Sequence, residues 1–194
     1  MMNQDALEIR IARPEDATRL VEIYRPYVET TAITFDCQVP SQEEFQEKIR
    51  RTLENYPFLV GIRQGKIIGY AYAGVYYGKE AYKWMVETTI YLDQAARGKG
   101  DGQAFYETLE TILKEMGILS LVACITDPNP ASINLHKKLG FEKIGHFKSA
   151  GYKLGQWFDT IWMEKQIGEY QVPPKDVITF KEWASKPENV NPRF

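Results

Sequence analysis

Between Gly117 and Pro130 lies a nearly continuous apolar run, Ile118 to Thr126. A strand with one solvated face alternates apolar and polar residues; a run that fails to alternate is expected to be buried on both faces. The flanking sequence reads as a helix before the run and another after it. Before it, Phe105, Leu109, Ile112, Leu113 and Met116 recur at helical spacing, with Gly117 as the stop. After it, Pro130 suits a first helical position, and Leu135 and Leu139 continue the pattern to Gly140. Cys124, inside the run, reads as a buried structural thiol.

The rest of the chain extends this unit into an α/β (α+β) architecture, a mixed central sheet flanked by helices. Leu7 to Ala12 reads as a strand. Ala17, Leu20, Val21 and Tyr24 then mark a helix that Pro26 interrupts or bends. Ser41-Gln42-Glu43-Glu44 is a capping-box pattern opening a second helix, with Phe45, Ile49 and Leu53 as its stripe. Phe58 to Arg63 and Lys66 to Tyr76 read as strands joined at Gln64-Gly65, and Trp84 to Leu92 as the next. Phe141 to Lys148 and Trp157 to Lys165 close the sheet. A length of 194 residues suits one compact domain. We place it at residues 1–167, with 168–194 as an extension that packs in part through Val177, Phe180 and Trp183.

Charge and cysteine usage narrow the function classes. A net charge of −2 provides no field for gripping a phosphate backbone, so nucleic acid is not an expected partner. No apolar run is long enough to span a bilayer, and MMNQDALEIR has no secretory pattern. Two cysteines, Cys37 and Cys124, are too few for a disulfide framework or a zinc site, so no metal is expected. A reducing cytoplasm fits these features.

The sharpest local motif is Arg97-Gly98-Lys99-Gly100-Asp101-Gly102, set after a strand and before an amphipathic helix. Alternate glycines let backbone approach a bulky anion, and free N–H groups at a helix N-terminus favour a pyrophosphate. Glycines that merely make a tight turn are an equally good reading of the motif alone. A P-loop would need Ser or Thr directly after its lysine, and a dinucleotide fingerprint a different glycine spacing after the first strand. Neither fits.

With its neighbours, the motif identifies a resemblance. Arg97-x-x-Gly100-x-Gly102 resembles the R/Q-x-x-G-x-G/A signature of the Gcn5-related N-acetyltransferases (GNAT), whose loop holds the pyrophosphate of CoA. Ala81 to Tyr91, Pro128 to Phe141 and Gly151 to Asp159 are similar to stretches of the phosphinothricin N-acetyltransferase group. The resemblance runs from about Ile9 to Lys165. It implies acetyl-CoA lying in a cleft between splayed strands, no metal, and a homodimer. One position departs from the pattern: Asp101 stands where the family has a small or aliphatic residue. A carboxylate there opposes a pyrophosphate if it faces the ligand, or favours the positive helix end if it does not.

On the strand Trp84 to Leu92, Glu87 is a lone carboxylate among apolar and hydroxyl-bearing residues. Its plain reading is a structural or solvent-facing glutamate; partial burial would raise its pKa and make it a base near neutral pH. The resemblance assigns it as general base. The same resemblance implies backbone contacts to acetyl and pantetheine from Thr89, Ile90 and Tyr91. It gives the pyrophosphate to Arg97, Gly98, Lys99, Gly100, Asp101 and Gly102. Asn129, also a natural helix N-cap, and Ser132 join the CoA contacts. His136, a packed surface residue on its own terms, becomes a candidate proton relay, while His146 is expected at the surface. Phe35, Lys79, Tyr82 and Trp84 match positions around the substrate mouth, with Lys79 a partner for an acceptor carboxylate. The expected reaction is acetyl transfer from acetyl-CoA to a small amino-acid-like amine of the phosphinothricin, methionine sulfone or methionine sulfoximine type. Acetylation of a protein N-terminus or lysine, and a non-catalytic acyl-CoA sensor, are the alternatives.

Overall fold

A computed structural model describes residues 6–189. Residues 1–5, the first half of the stretch read above for a secretory pattern, and residues 190–194 lie outside the described residues, and with them the outer limits of both expected segments. Seven strands among these form one mixed sheet: β1 (Glu8–Ile11), β2 (Phe58–Arg63), β3 (Lys66–Val75), β4 (Met85–Leu92), β5 (Ser120–Asp127), β6 (Glu142–Lys153) and β7 (Gln156–Gln166). Their spatial order is β1-β2-β3-β4-β5-β7-β6. All pairs are antiparallel except β4 with β5. The helices are α1 (Ala17–Thr30), α2 (Gln42–Asn55), α3 (Asp101–Glu115), α4 (Pro130–Lys138) and α5 (Phe180–Ala184). No helix of the described residues is long and apolar enough to cross a membrane.

Two apolar cores form, one on each face. Leu20, Tyr24 and Tyr27 of α1 and Phe45 and Ile49 of α2 pack with Phe58, Val60 and Tyr70 of the sheet. On the other face Phe105, Leu109, Ile112 and Leu113 of α3 pack with Leu59, Val86, Leu121 and Ala123. The capping box at Ser41 is present: Ser41 Oγ accepts from Glu44 N–H at 3.1 Å, and Glu44 Oε2 accepts from Ser41 N–H at 2.7 Å. Pro26 does not end α1, which continues to Thr30.

The position of the site follows from where one ladder stops. β4 and β5 pair only at Met85↔Ser120, Val86↔Leu121 and Glu87↔Val122, although both strands continue. At that point Thr88 Oγ1 donates to the Val122 carbonyl at 3.1 Å, a side chain taking over from the backbone ladder. Beyond it the strands part, as expected for splayed strands. The parting also corrects the reading of Cys124. One face of β5 remains packed on α3, but the face carrying Cys124 looks into the opening, and the thiol is exposed.

β6 is longer than expected, because the β6–β7 register shifts between Phe147 and Gly151 and pairing then resumes to Lys153. Ser149, in the shift, has φ 49° and donates its N–H to Asp159 Oδ1 at 2.8 Å. Past residue 167 the chain returns to the main core, where Phe180 and Trp183 are 3% and 2% exposed and Val177 packs beside them. Trp183 Nε1 donates to Glu115 Oε2 at 2.8 Å.

Candidate active site

The parting of β4 from β5 opens a cavity of about 220 Å³, lined in part by Phe35, Glu87, Thr89, Cys124, Thr160 and His136. A second, of about 380 Å³, runs along Arg97, Gly98, Gly100, Asp101, Gly102 and Leu135. Ile33, Ile90, Asn129 and Ser132 line both, so the two are parts of one cleft.

Glu87 stands at the head of this cleft, on the last residue pair of the β4–β5 ladder. It is half-buried, and desolvation raises its carboxyl above the ordinary value of 4.5. The cause is burial, which disfavours the charged form. Cys124, across the cleft on β5, has its thiol pushed up to about 11, first by desolvation and then by the charge of Glu87. A thiol so raised is protonated at neutral pH and is a poor nucleophile.

Beyond Glu87, strand alternation fixes which backbone groups face the opening. Asp93 N–H bonds the Ile68 carbonyl on the β3 side, at 2.8 Å, and Leu92 N–H turns the other way, to Tyr27 Oη at 3.2 Å. Two residues earlier, Ile90 therefore presents its N–H and C=O to the cleft. Thr89 and Tyr91 line the same cavity. The Tyr91 ring packs edge-on against Tyr24 and Tyr27.

His136 is not at the surface. It is 2% exposed, and burial lowers its pKa below 6.5. Its Nδ1 lies 2.8 Å from the Ser132 carbonyl, which can only accept, so Nδ1 carries the ring proton. Nε2 is then an acceptor, and Tyr106 Oη donates to it at 2.7 Å. Tyr106 is fully desolvated and its pKa is raised, by burial first and by the Glu87 charge as a lesser cause. Sequence reasoning passed over this tyrosine. The signal was there: Tyr106 sits on the inward stripe of α3 between Gly102 and Leu109, where a buried hydroxyl requires a partner.

The glycine loop has the conformation the motif called for. Gly98 and Gly100 have φ of 83° and 84°, a region that glycine enters without strain, and a Cβ at either would meet open space. Gly100 is the N-cap of α3, so Asp101 and Gly102 belong to the helix rather than to the loop before it. Asn129 caps α4, its Oδ1 accepting from Ser132 N–H at 3.2 Å. Two helix N-termini thus face one groove, and this donor set fits a pyrophosphate-bearing ligand. Arg97 stacks on the Tyr27 ring at 4.9 Å, and Lys99 is exposed on the loop.

A clamp holds the wall opposite. Lys153 of β6, 6% exposed, donates from Nζ to the Thr34 carbonyl at 2.8 Å. Tyr24 Oη donates to Asp36 Oδ2 at 2.6 Å and lies 2.7 Å from Thr34 Oγ1. Gly151 leaves room for Phe35, since a Cβ there would stand 2.5 Å from the ring. Phe35 thereby reaches the Glu87 cavity.

Lys79, Tyr82 and Trp84 do not line that cavity. Lys79 is exposed over the Tyr77 ring. Tyr82 and Trp84 border a separate groove with Leu119, Tyr170 and Pro174, and Trp84 Nε1 donates to the Lys175 carbonyl at 2.7 Å. The physical reason is that Trp84 precedes β4 and meets the returning C-terminal segment, which sequence patterning could not place. His146 is at the surface, 2.7 Å from Asp159 Oδ2. Among the described residues no group of three or more His, Cys, Asp or Glu is arranged to hold a metal ion.

A cleft between parting parallel strands, with a desolvated carboxylate at its head and helix N-termini along its length, fits a transferase that uses an acyl-CoA. The comparisons with known proteins agree. The family model of the acetyltransferase (GNAT) domain matches residues 9–162. Phosphinothricin N-acetyltransferase of Streptomyces viridochromogenes is 33% identical over 171 residues, 88% of this chain and 93% of the relative. The L-methionine sulfoximine/L-methionine sulfone acetyltransferase of Salmonella typhimurium is 33% identical, covering 86% of this chain and 98% of its own. The crystal structure of a phosphinothricin acetyltransferase from Sinorhizobium meliloti in complex with acetyl-CoA superposes with a TM-score of 0.82 at 33% identity, over 94% and 96% of the two chains. The chain belongs to the GNAT acetyltransferase family. It is an acetyltransferase, and acetyl-CoA is its acetyl donor.

Proposed function

We propose that the chain acetylates the primary amine of a small amino-acid-like acceptor, of the phosphinothricin or methionine sulfoximine type, with Glu87 as general base. The observation that carries this reading is the place of Glu87. It is a desolvated carboxylate of raised pKa at the head of a cleft whose far end suits a pyrophosphate. What bound acetyl-CoA supplies there is an acetyl group activated as a thioester.

Arg97, Gly98, Lys99, Gly100, Asp101 and Gly102 hold the pyrophosphate through backbone N–H groups and the two cations, and Asn129 and Ser132 border the same groove. Ile90 offers its N–H to a carbonyl oxygen in the cleft, flanked by Thr89 and Tyr91. Glu87 takes the proton from the acceptor ammonium, directly or through one water, leaving the amine free to attack. The proton shed by the acylated nitrogen passes through Tyr106 Oη to His136 Nε2, which is free to accept it, and returns by the same hydroxyl to the thiolate as the C–S bond breaks. Phe35 frames the acceptor side; Lys79, Tyr82 and Trp84 are left out of it. Direct transfer is the reading that the raised pKa of Cys124, a thiol lining the cleft, supports. Homodimerisation, expected of the group, is read through the exposed Phe147, Tyr152, Leu154 and Trp157 of the β6–β7 hairpin and its turn.

A non-catalytic sensor was suggested by Asp101 opposing CoA. Its carboxylate is instead buried and ion-paired with Arg63, which removes that ground. The test is CoA-thiol release with a panel of amino acids, their sulfone and sulfoximine analogues, and peptides. Release with the free amino acids is expected. Release with peptides alone would favour the protein-modifying alternative, and binding of acetyl-CoA without release the sensor.

A further inference from the structure

Asp101 places a negative charge in the turn that cradles the pyrophosphate, and the structure contains a side chain that answers it. Gly61 on β2 would, with a Cβ, stand 2.6 Å from the Phe105 ring, so β2 and α3 approach closely there because the residue is glycine. The β2–β3 register shifts between Gly61 and Ile62. Arg63 then ends the strand with its guanidinium against Asp101 Oδ1, at the first turn of α3. The two side chains are 18% and 3% exposed. Among the described residues Asp101 Oδ2 is buried without a hydrogen-bond partner, and the contact with Arg63 is made through Oδ1.

We propose that Arg63 is a positioning residue for acetyl-CoA: by neutralising Asp101 and tying the first turn of α3 to β2, it allows the glycine turn to accept a pyrophosphate beside a carboxylate. The inference rests on the reading that the pyrophosphate lies at this turn. In bulk water a charge a few ångströms from the ligand would matter little. In this buried setting the same charge acts through a lower effective dielectric, and its sign decides the outcome. Removing one partner of a buried pair leaves an uncompensated charge, whereas replacing both by apolar residues is close to neutral.

A brace and an electrostatic partner predict different results, and a double-mutant cycle separates them. Calorimetric Kd values for acetyl-CoA would be measured for wild type, Arg63→Met, Asp101→Ile and the double variant, with thermal unfolding followed in parallel. Both single variants are expected to lose stability. Arg63→Met leaves the carboxylate facing the ligand and weakens binding about ten-fold or more, the equivalent of roughly 1.4 kcal/mol. Asp101→Ile leaves a cation there and binds as tightly as wild type or more tightly, and the double variant recovers wild-type affinity. Equal losses in both single variants, or unchanged affinity in Arg63→Met, overturn the proposal. Should Arg63→Met fail to fold, Arg63→Lys and Arg63→Gln take its place. Lysine is expected within about two-fold of wild type and glutamine about ten-fold weaker; equal affinities overturn it. Gly100→Val, which strains the turn itself, should abolish binding. Wild-type binding in that variant would place the failure in the site reading rather than in the ion pair.

Discussion

At the scale of single residues, the proposed chemistry turns on Glu87 and on what burial does to it. Its folded-state pKa is raised, so the proton is held more tightly in the native protein than in the unfolded chain. The stability contributed by that proton is present below the ordinary value of 4.5 and is lost as pH rises through the folded value. At neutral pH the ionised, desolvated carboxylate is therefore a cost. Glu87→Gln is expected to be more resistant to urea than wild type at pH 7, with the difference closing in acid; a variant less stable at neutral pH would contradict the burial account. The glycine run was legible as a local pattern and Glu87 as a lone carboxylate on a strand, but the role proposed for Glu87 came from the family resemblance alone. The buried hydroxyl of Tyr106 could be read from the α3 stripe but its partner His136 could not, and Arg63 gave no signal because its partner Asp101 is distant in sequence.

The elements explain why the site was only partly readable. The apolar run Ile118 to Thr126 correctly announced a central strand, yet it could not show that β4 leaves β5 after Glu87↔Val122. That parting depends on three-dimensional register, and it exposes Cys124, which the run had suggested was buried. The β6–β7 hairpin shows the same limit. Its register shift between Phe147 and Gly151 lets Lys153 reach the Thr34 carbonyl and Gly151 receive the Phe35 ring. Gly151→Val is expected to displace Phe35 at a cost of about 1–3 kcal/mol, the usual range for overpacking. Acceptor KM should rise several-fold while the acetyl-CoA Kd stays near wild type. Equal effects on both ligands would place Phe35 outside the acceptor side.

Across the whole molecule, the sheet carries two cores, and the C-terminal segment completes one of them. Phe180 and Trp183 stack on each other with ring centroids 5.4 Å apart and join α3 in the main core. Trp183→Ala is expected to destabilise by about 3–5 kcal/mol, measured by urea unfolding, because it empties a large buried site. A loss under about 1 kcal/mol would mean that the segment is dispensable to the fold. The proposed function as a whole stands on Glu87 acting as a base at the head of the cleft. Its most direct test is the pH dependence of kcat/KM for the best amino acid acceptor, in wild type and Glu87→Gln. The expected wild-type profile rises with pH through an inflection above 4.5, the ordinary value for the group. Glu87→Gln should be slower by about 10²–10⁴-fold and lack that inflection. A Glu87→Gln enzyme that kept the wild-type rate and profile would contradict the assignment.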